Sequence, residues 1–255
     1  MGKNKLRKFA EMEAFDCVFQ YPFAVISREP FPLRGRWREH FGNDNPIVLE
    51  LGCGKGEYAV GLAKLCPGKN FIGIDIKGAR MYTGAKQAQL QGLANVAFLR
   101  TQIELLAAFF APGEVSEIWI TFPDPQMKKV RKRLTATNFL ALYRKVLAPD
   151  GLIHLKTDSP FLYTYTTEML KASGIAPLMD TADLYASPLA GQLPPIRTHY
   201  EQQWLQRGMT IKFVSFALPR QGELVEPDVE IEPDNYRSYS HRSNKMNDSD
   251  KNETL

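Results

Sequence analysis

Short apolar runs separated by amphipathic stretches dominate the middle of the chain. The runs "PIVLELG", "NFIGIDI", "NVAFLR", "EIWITF" and "GLIHLKT" are continuously apolar and rich in β-branched residues. Strands buried on both faces read this way. Between them lie "EYAVGLAKLC", "GARMYTGAKQAQLQG", "IELLAAFF" and "ATNFLALYRKVL", whose apolar positions recur at helical spacing. Strand and helix in alternation predict βαβ units around a mostly parallel sheet with helices on both faces, a doubly wound α/β fold. A helix is expected over 160–173, and "THYEQQWLQRG" precedes "MTIKFVSFAL". That last run alternates apolar and polar residues, as a strand near a sheet edge does.

The flanks lack such periodicity. Residues 1–45 mix Lys, Arg, aromatics and Pro and are expected to form a basic arm leading to the fold at 46–218. From Pro219 the chain is rich in Asp, Glu, Asn and Ser, which predicts an acidic disordered tail over 219–255. Charge sharpens this division. From Gln221 onward there are nine acids and four bases, so residues 1–220 carry 28 bases against 19 acids, a net +9. A basic body favours a polyanionic partner, although charge alone equally fits a surface kept basic for solubility.

The 255 residues suit one domain with appendages. No apolar run approaches the roughly 18 residues that a membrane helix needs. The start "MGKNKLRKFA" has no apolar core behind it and is not expected to be a secretory signal. Cys17, Cys53 and Cys66 form no C-x-x-C pair, and the four histidines are scattered. Neither a disulfide framework nor a metal site is expected, and a cytoplasmic location is the default.

Candidate chemistry begins at "VLELGCGKGEYAVGLAK", residues 48–64, where an apolar run meets three glycines in five positions. A dinucleotide fingerprint starting at Gly52 requires glycine at 57, where Glu57 stands, and the P-loop pattern is absent. An acid at that place also disfavours phosphate at a helix N-terminus. Glu50, ahead of Gly52 and Gly54, suits a cation or an amine. Asp75 ends the next strand, 23 residues after Gly52, where an acid can accept from both hydroxyls of a ribose. Glycines for close approach, one acid for an amino end and one for a ribose together describe S-adenosylmethionine. The competing reading is a tight turn with Glu50 in an ordinary ion pair.

A second constellation is "ITFPDPQMKKVRKRLT", residues 120–135. Pro123 and Pro125 bracket Asp124 and restrict its backbone, giving that carboxylate a fixed aim. Five bases follow within six residues: Lys128, Lys129, Arg131, Lys132 and Arg133. An acid at a chemical centre beside a cationic loop fits a nucleic-acid substrate, with bases on phosphates and the acid on a base edge. The bland alternative is a solvated basic face.

With these segments in view, the chain resembles the bacterial tRNA (guanine-N7)-methyltransferase family from about residue 30 to 218. The matching segments are "FGNDNPIVLELGCGKG", "FIGIDI", "FPDPQMKKVRKRL", "HLKTD" and "THYEQQWLQRG". The resemblance implies a Rossmann-like class I methyltransferase sheet with an antiparallel last strand. It further implies transfer of a methyl group from S-adenosylmethionine to N7 of guanine 46 in the variable loop of tRNA, with no metal. By resemblance, Glu50, Gly52, Gly54, Asp75, Gln102 and Asp124 contact the cofactor, and Asp124 also lies at the active centre. Lys128, Asp158, Thr198, Tyr200 and Glu201 are the implied substrate contacts. Departures are Gln126, where the family usually has tryptophan, a basic loop about two residues shorter, His199 in place of a glutamate, and Gln102 in place of a frequent acid.

The resemblance also suggests a mechanism needing no base, because N7 carries a free lone pair. Asp124 and Asp158 would then hold the guanine through its N–H groups, and Thr198, Tyr200 and Glu201 would close the opposite wall. Lys3–Lys8 and Lys128–Arg133 are the candidate phosphate contacts, the former in an arm expected to order on tRNA. His199 is expected to be a surface residue, and His154 and Lys156 satisfied residues at the core edge. Monomer and homodimer stay open. The rival classes are a methyltransferase acting on another RNA, a protein or a small molecule, a nicotinamide-dependent dehydrogenase, and a non-catalytic RNA-binding protein.

Overall fold

The structure, a computed structural model, describes residues 3–236, with side chains from Arg7 onward. In chain order the elements are α1 (Lys3–Glu13), β1 (Val18–Gln20), α2 (Phe23–Ile26), α3 (Trp37–Phe41), β2 (Ile47–Leu51) and α4 (Glu57–Leu65). Then follow β3 (Asn70–Asp75), α5 (Gly78–Leu90), β4 (Val96–Arg100), α6 (Leu106–Phe109), β5 (Val115–Thr121) and α7 (Thr137–Tyr143). The last are β6 (Leu147–Thr157), α8 (Pro160–Ala172), β7 (Met179–Thr181), α9 (His199–Gln206) and β8 (Lys212–Ala217).

The eight strands form one sheet in the order β1-β4-β3-β2-β5-β6-β8-β7. The pairs from β1 through β6 are parallel, whereas β8 runs antiparallel to both β6 and β7. The expected sheet is thus present, with β8 one strand in from the edge that β7 forms. Among the described residues no helix is long and apolar enough to cross a membrane.

Strand alternation divides the core into two layers. Leu49, Leu51, Ile72, Ile74, Ile118 and Ile120 face one cluster, which includes α6, α7 and α8. Val48, Phe71, Phe98 and Trp119 face the other, against α4 and α5. With a side-chain period of two, Glu50 and Thr121 fall on the α4 side, which places a carboxylate inside an otherwise apolar layer. The chain crosses from β2 to β3 in one direction and reaches β5 in the other. The C-terminal ends of β2, β3 and β5 therefore open a crevice at the point where strand order reverses.

Both flanks differ from the expected picture. Residues 3–45 belong to the body rather than to an arm: β1 extends the sheet beside β4, and α1 lies along α5. Trp37 is fully buried and its indole N–H donates to the Phe109 carbonyl at 3.1 Å. Phe19 and Phe31 pack against it, with ring centroids 5.2 and 5.4 Å away. Elements of three to five residues are too short to display a period, so their aromatic anchors were illegible as a core. At the other end, residues 219–236 lie on the body. Arg144 donates to the carbonyls of Pro219, Gln221 and Gly222, and Glu226 accepts from the Thr137 and Tyr165 hydroxyls at 2.6 and 2.5 Å. Such a segment is held by side-chain hydrogen bonds, which composition does not reveal. The rest of the expected tail, 237–255, lies outside the described residues, as do the side chains of residues 3–6 within Lys3–Lys8.

Candidate active site

The crevice holds a cavity of about 550 Å³. Glu50, Gly52, Gly54, Asp75, Asp124, Asp158, Thr198 and Tyr200 all line it. A neighbouring cavity of about 370 Å³ shares Gly52 and Asp75 with the first and adds Gln102. Residues spread over some 150 positions thus meet in one place.

The cofactor-type acids are aimed by backbone amides. Glu50 is 3% exposed; its Oε2 accepts from the Ala59 amide at 2.9 Å and its Oε1 from the Thr121 hydroxyl at 2.8 Å. Ala59 lies in the first turn of α4, where free N–H groups favour a carboxylate. Burial nevertheless dominates and, with Asp75 and Glu57 nearby, pushes the Glu50 carboxyl up to about 7. A carboxyl so perturbed on an open cavity marks a candidate functional group, and a cation placed opposite it would draw it into the ionised form. Asp75, at the end of β3, accepts from the Gly54 amide at 2.9 Å and the Lys77 amide at 2.7 Å, which fixes both oxygens at the cavity mouth.

The glycines between them have separate reasons. Gly52 has φ +72°, and a Cβ there would meet nothing within 4 Å, so the constraint is the left-handed backbone beside open space. Gly56 is a packing requirement: a Cβ would stand 2.5 Å from the Phe98 ring.

Asp124 sits exposed on the cavity rim between two strained residues, since Phe122 and Gln126 both have φ +50°. Its Oδ1 accepts from the Gln126 amide at 3.0 Å. Non-glycine residues held in the left-handed region persist only where the surroundings enforce them. Arg133 supplies part of that enforcement. It is 6% exposed, donates to the carbonyls of Gln126 and Met127, and lies over the Phe161 and Tyr165 rings at 4.7 and 4.3 Å. Lys132 lines both cavities and pairs with Glu104 at 2.8 Å. The basic run therefore divides: Lys128, Lys129 and Arg131 are exposed, whereas Arg133 is an internal brace. Lys128 is not among the cavity-lining residues.

Glu201, expected as a wall of the pocket, is fully buried and does not line the cavity. It pairs with Lys156 at 2.7 Å, accepts from the Tyr185 hydroxyl at 2.6 Å, and closes a capping box with Thr198 at the start of α9. Lys156 is 1% exposed and its ammonium is pulled down by burial, with Glu201 opposing. A buried charge of this kind requires its partner. Glu201 thus sets the position of α9, and Thr198 and Tyr200 present that helix end to the cavity. The Glu57 carboxylate accepts from the His199 amide at 3.2 Å, tying α9 to the start of α4. His199 itself is exposed and lies off the cavity. His154 stacks on Trp119 at 4.2 Å, inside the sheet layer.

Several contributors carried no sequence signal. Thr121 is one of many strand threonines until β5 pairs with β2, and Trp204 and Phe122 reach the cavity only through the placement of their segments. Asp158 lines the cavity wall yet is 0% exposed, with its Oδ2 accepting from the Tyr236 hydroxyl at 2.5 Å.

Comparison with known proteins shows what the chain is similar to. A family model described as "Putative methyltransferase" matches residues 44–214. The chain is 63% identical over 234 residues to the tRNA (guanine-N(7)-)-methyltransferase of Porphyromonas gingivalis, covering 90% of this chain and 96% of that protein. The enzyme of the same name from Bacteroides thetaiotaomicron is 58% identical over 241 residues, covering 94% and 96%. Among solved structures, the 16S rRNA methyltransferase KamB superposes with a TM-score of 0.55 at 14% identity, over 75% of this chain and 95% of that one, a likeness of fold. With the glycine loop, the paired acids and the Pro-Asp-Pro turn gathered on one crevice, the chain belongs to the tRNA (guanine-N(7)-)-methyltransferase family.

Proposed function

We propose that this enzyme transfers the methyl group of S-adenosylmethionine to N7 of a guanine in tRNA, guanine 46 of the variable loop. The observation that carries the reading is the meeting of Glu50, Asp75 and Asp124 on one cavity, in a chain whose relatives are named tRNA (guanine-N(7)-)-methyltransferase. The residues present fit the cofactor: a buried carboxyl answers its amino end, a fixed carboxylate its ribose, and Gly52 leaves room for close approach. When bound, S-adenosylmethionine supplies a methyl group activated by a sulfonium.

The guanine N7 lone pair forms the new bond to the methyl carbon, and the electron pair of the broken bond remains on sulfur. No proton is transferred, so the protein needs alignment and a fitting electrostatic field. Asp124 and Asp158 hold the base through its N–H groups, and Asp124 favours the positive charge that the base acquires. Thr198 and Tyr200 form the facing wall. The exposed bases Lys128, Lys129 and Arg131 lie on phosphates of the tRNA, whose guanine must first leave its own contacts at a cost of a few kcal/mol.

The deciding experiment is methyl transfer from labelled S-adenosylmethionine to unmodified tRNA, with nucleoside analysis and mapping of the product. Labelled 7-methylguanosine at position 46 is the expected result. Cofactor binding with transfer to another RNA or to protein, but none to tRNA, would overturn the substrate assignment.

A further inference from the structure

The polar segment after β8 reaches the candidate guanine side of the cavity. Tyr236 donates its hydroxyl to Asp158 Oδ2, and its ring meets the edge of Trp204 at 5.2 Å and 81°. Trp204 and Asp158 line the cavity, whereas Tyr236 does not. Tyr236 therefore stands behind the wall and holds it. Two residues earlier, Asp234 accepts from the Ser159 hydroxyl at 2.5 Å and the Phe161 amide at 3.0 Å. Ser159 is the N-cap of α8, accepting from the Leu162 amide, so Asp234 caps the cap where the helix dipole favours an anion. The Asp234 amide also meets Met127 Sδ at 3.1 Å, in the loop that carries Asp124. Lys212 completes the junction with a bond to the Asp158 carbonyl at 3.1 Å, near both carboxylates.

We infer that residues 219–236 form a strap whose end positions the substrate side of the site, Tyr236 holding Asp158 and Asp234 clamping the start of α8 to the Asp124 loop. This rests on the proposed role of Asp158. Asp158 follows the last residue of β6, on the turn into α8, and the bond from a phenol packed against Trp204 is one of the contacts that set the direction of its buried carboxylate. Asp234 couples the two acids, since the elements bearing Asp124 and Asp158 are joined through it. Tyr236 and Asp234 are positioning residues in this scheme.

The test uses the full chain in three variants. Tyr236→Phe keeps the ring and deletes the bond to Asp158: kcat on tRNA is expected to fall about tenfold, with KM, cofactor Kd and Tm near wild type. Asp234→Ala is expected to lower kcat and to speed hydrogen exchange at the amides of Phe161, Gln126 and Lys129. Asp234→Asn, which keeps an acceptor, is expected to restore part of both. Wild-type kcat in Tyr236→Phe and Asp234→Ala overturns the inference, as does a parallel loss of kcat and Tm, the mark of a merely structural strap. Should the wild type make no 7-methylguanosine, the functional reading fails by itself. Exchange then judges the clamp alone, and unchanged protection in Asp234→Ala overturns it.

Discussion

The two walls of the cavity are built on different principles. On the proposed cofactor side, Glu50 and Asp75 lie at the C-terminal ends of adjacent strands, one residue from the end of β2 and at the end of β3, and each is oriented by a backbone amide within 21 positions of it. The aim comes from secondary structure. On the proposed substrate side, Asp124, Asp158, Thr198 and Tyr200 come from two loops and a helix start. They are held by side-chain contacts that tie one element to another: Arg133, stacked on Phe161 and Tyr165, under the Asp124 loop, Lys156 with Glu201 under α9, and Asp234 across α8. The first wall is rigid by construction, the second only through its braces. Side chains far from the reacting atoms should therefore govern the second wall much more than the first.

The largest expected effect tests such a brace. Glu201→Leu leaves the Lys156 ammonium buried beside an apolar group, at a cost of about 3–5 kcal/mol of stability. Urea unfolding measures it, and the double variant Glu201→Leu with Lys156→Met should recover most of the loss. A cost below 1 kcal/mol would remove the pair from the frame of the wall.

Next comes Asp124→Ala, which alters the substrate wall at its reacting end. Product formation should fall about 10²–10³-fold, some 3–4 kcal/mol, with cofactor Kd changed only slightly. Turnover near wild type would end the role given to Asp124.

A third prediction concerns the cofactor wall and has a definite sign. Because the free Glu50 carboxyl is pushed up to about 7, mainly by burial, it is protonated at pH 6, whereas a cationic ligand requires it ionised. Binding should release a proton, and affinity should tighten roughly fivefold from pH 6 to pH 7. Calorimetry in buffers of differing ionisation enthalpy reads the proton directly. Glu50→Gln should bind weakly and without that pH dependence. The same shift bears on folding: the folded state holds the extra proton between about 4.5 and 7. The stabilisation from Glu50 is thus complete below the ordinary carboxylate range and lost as pH rises through 7.

The smallest effect separates the bases proposed to meet RNA from the one that braces. Lys129→Gln and Arg131→Gln should each reduce the slope of log affinity for tRNA against log salt by about 0.7–0.9. Arg133→Met should leave the slope unchanged and lower Tm, since its guanidinium is occupied by Met127, Phe161 and Tyr165. A change of slope in that variant would return Arg133 to the interface.

The limits of legibility follow the same contrast. The cofactor wall was readable because a buried parallel strand is a continuous apolar run, so an acid interrupting or ending it stands out, as Glu50 and Asp75 do. Residues 18–45 are hard to read because β1, α2 and α3 are shorter than any period, although Trp37 and Phe31 anchor the core; α1, with eleven residues, is long enough to show one. Glu201 was read as a contact because a charge in a recognisable motif invites a ligand. Its ligand is Lys156, 45 positions away, and only the packing of α9 against β6 brings them together.

The amino-acid sequence by itself determined the alternation of strand and helix, the glycine turn and the two acids at or near strand ends. These depend on local sterics and on the burial of contiguous side chains. The tertiary structure alone decided which charges face the cavity and which serve as braces, that Thr121 bonds Glu50, and that an acidic segment after β8 returns to Asp158. The reason is physical: whether a charge is solvated, paired or aimed at a ligand depends on which distant groups surround it, and no local pattern along the chain encodes that.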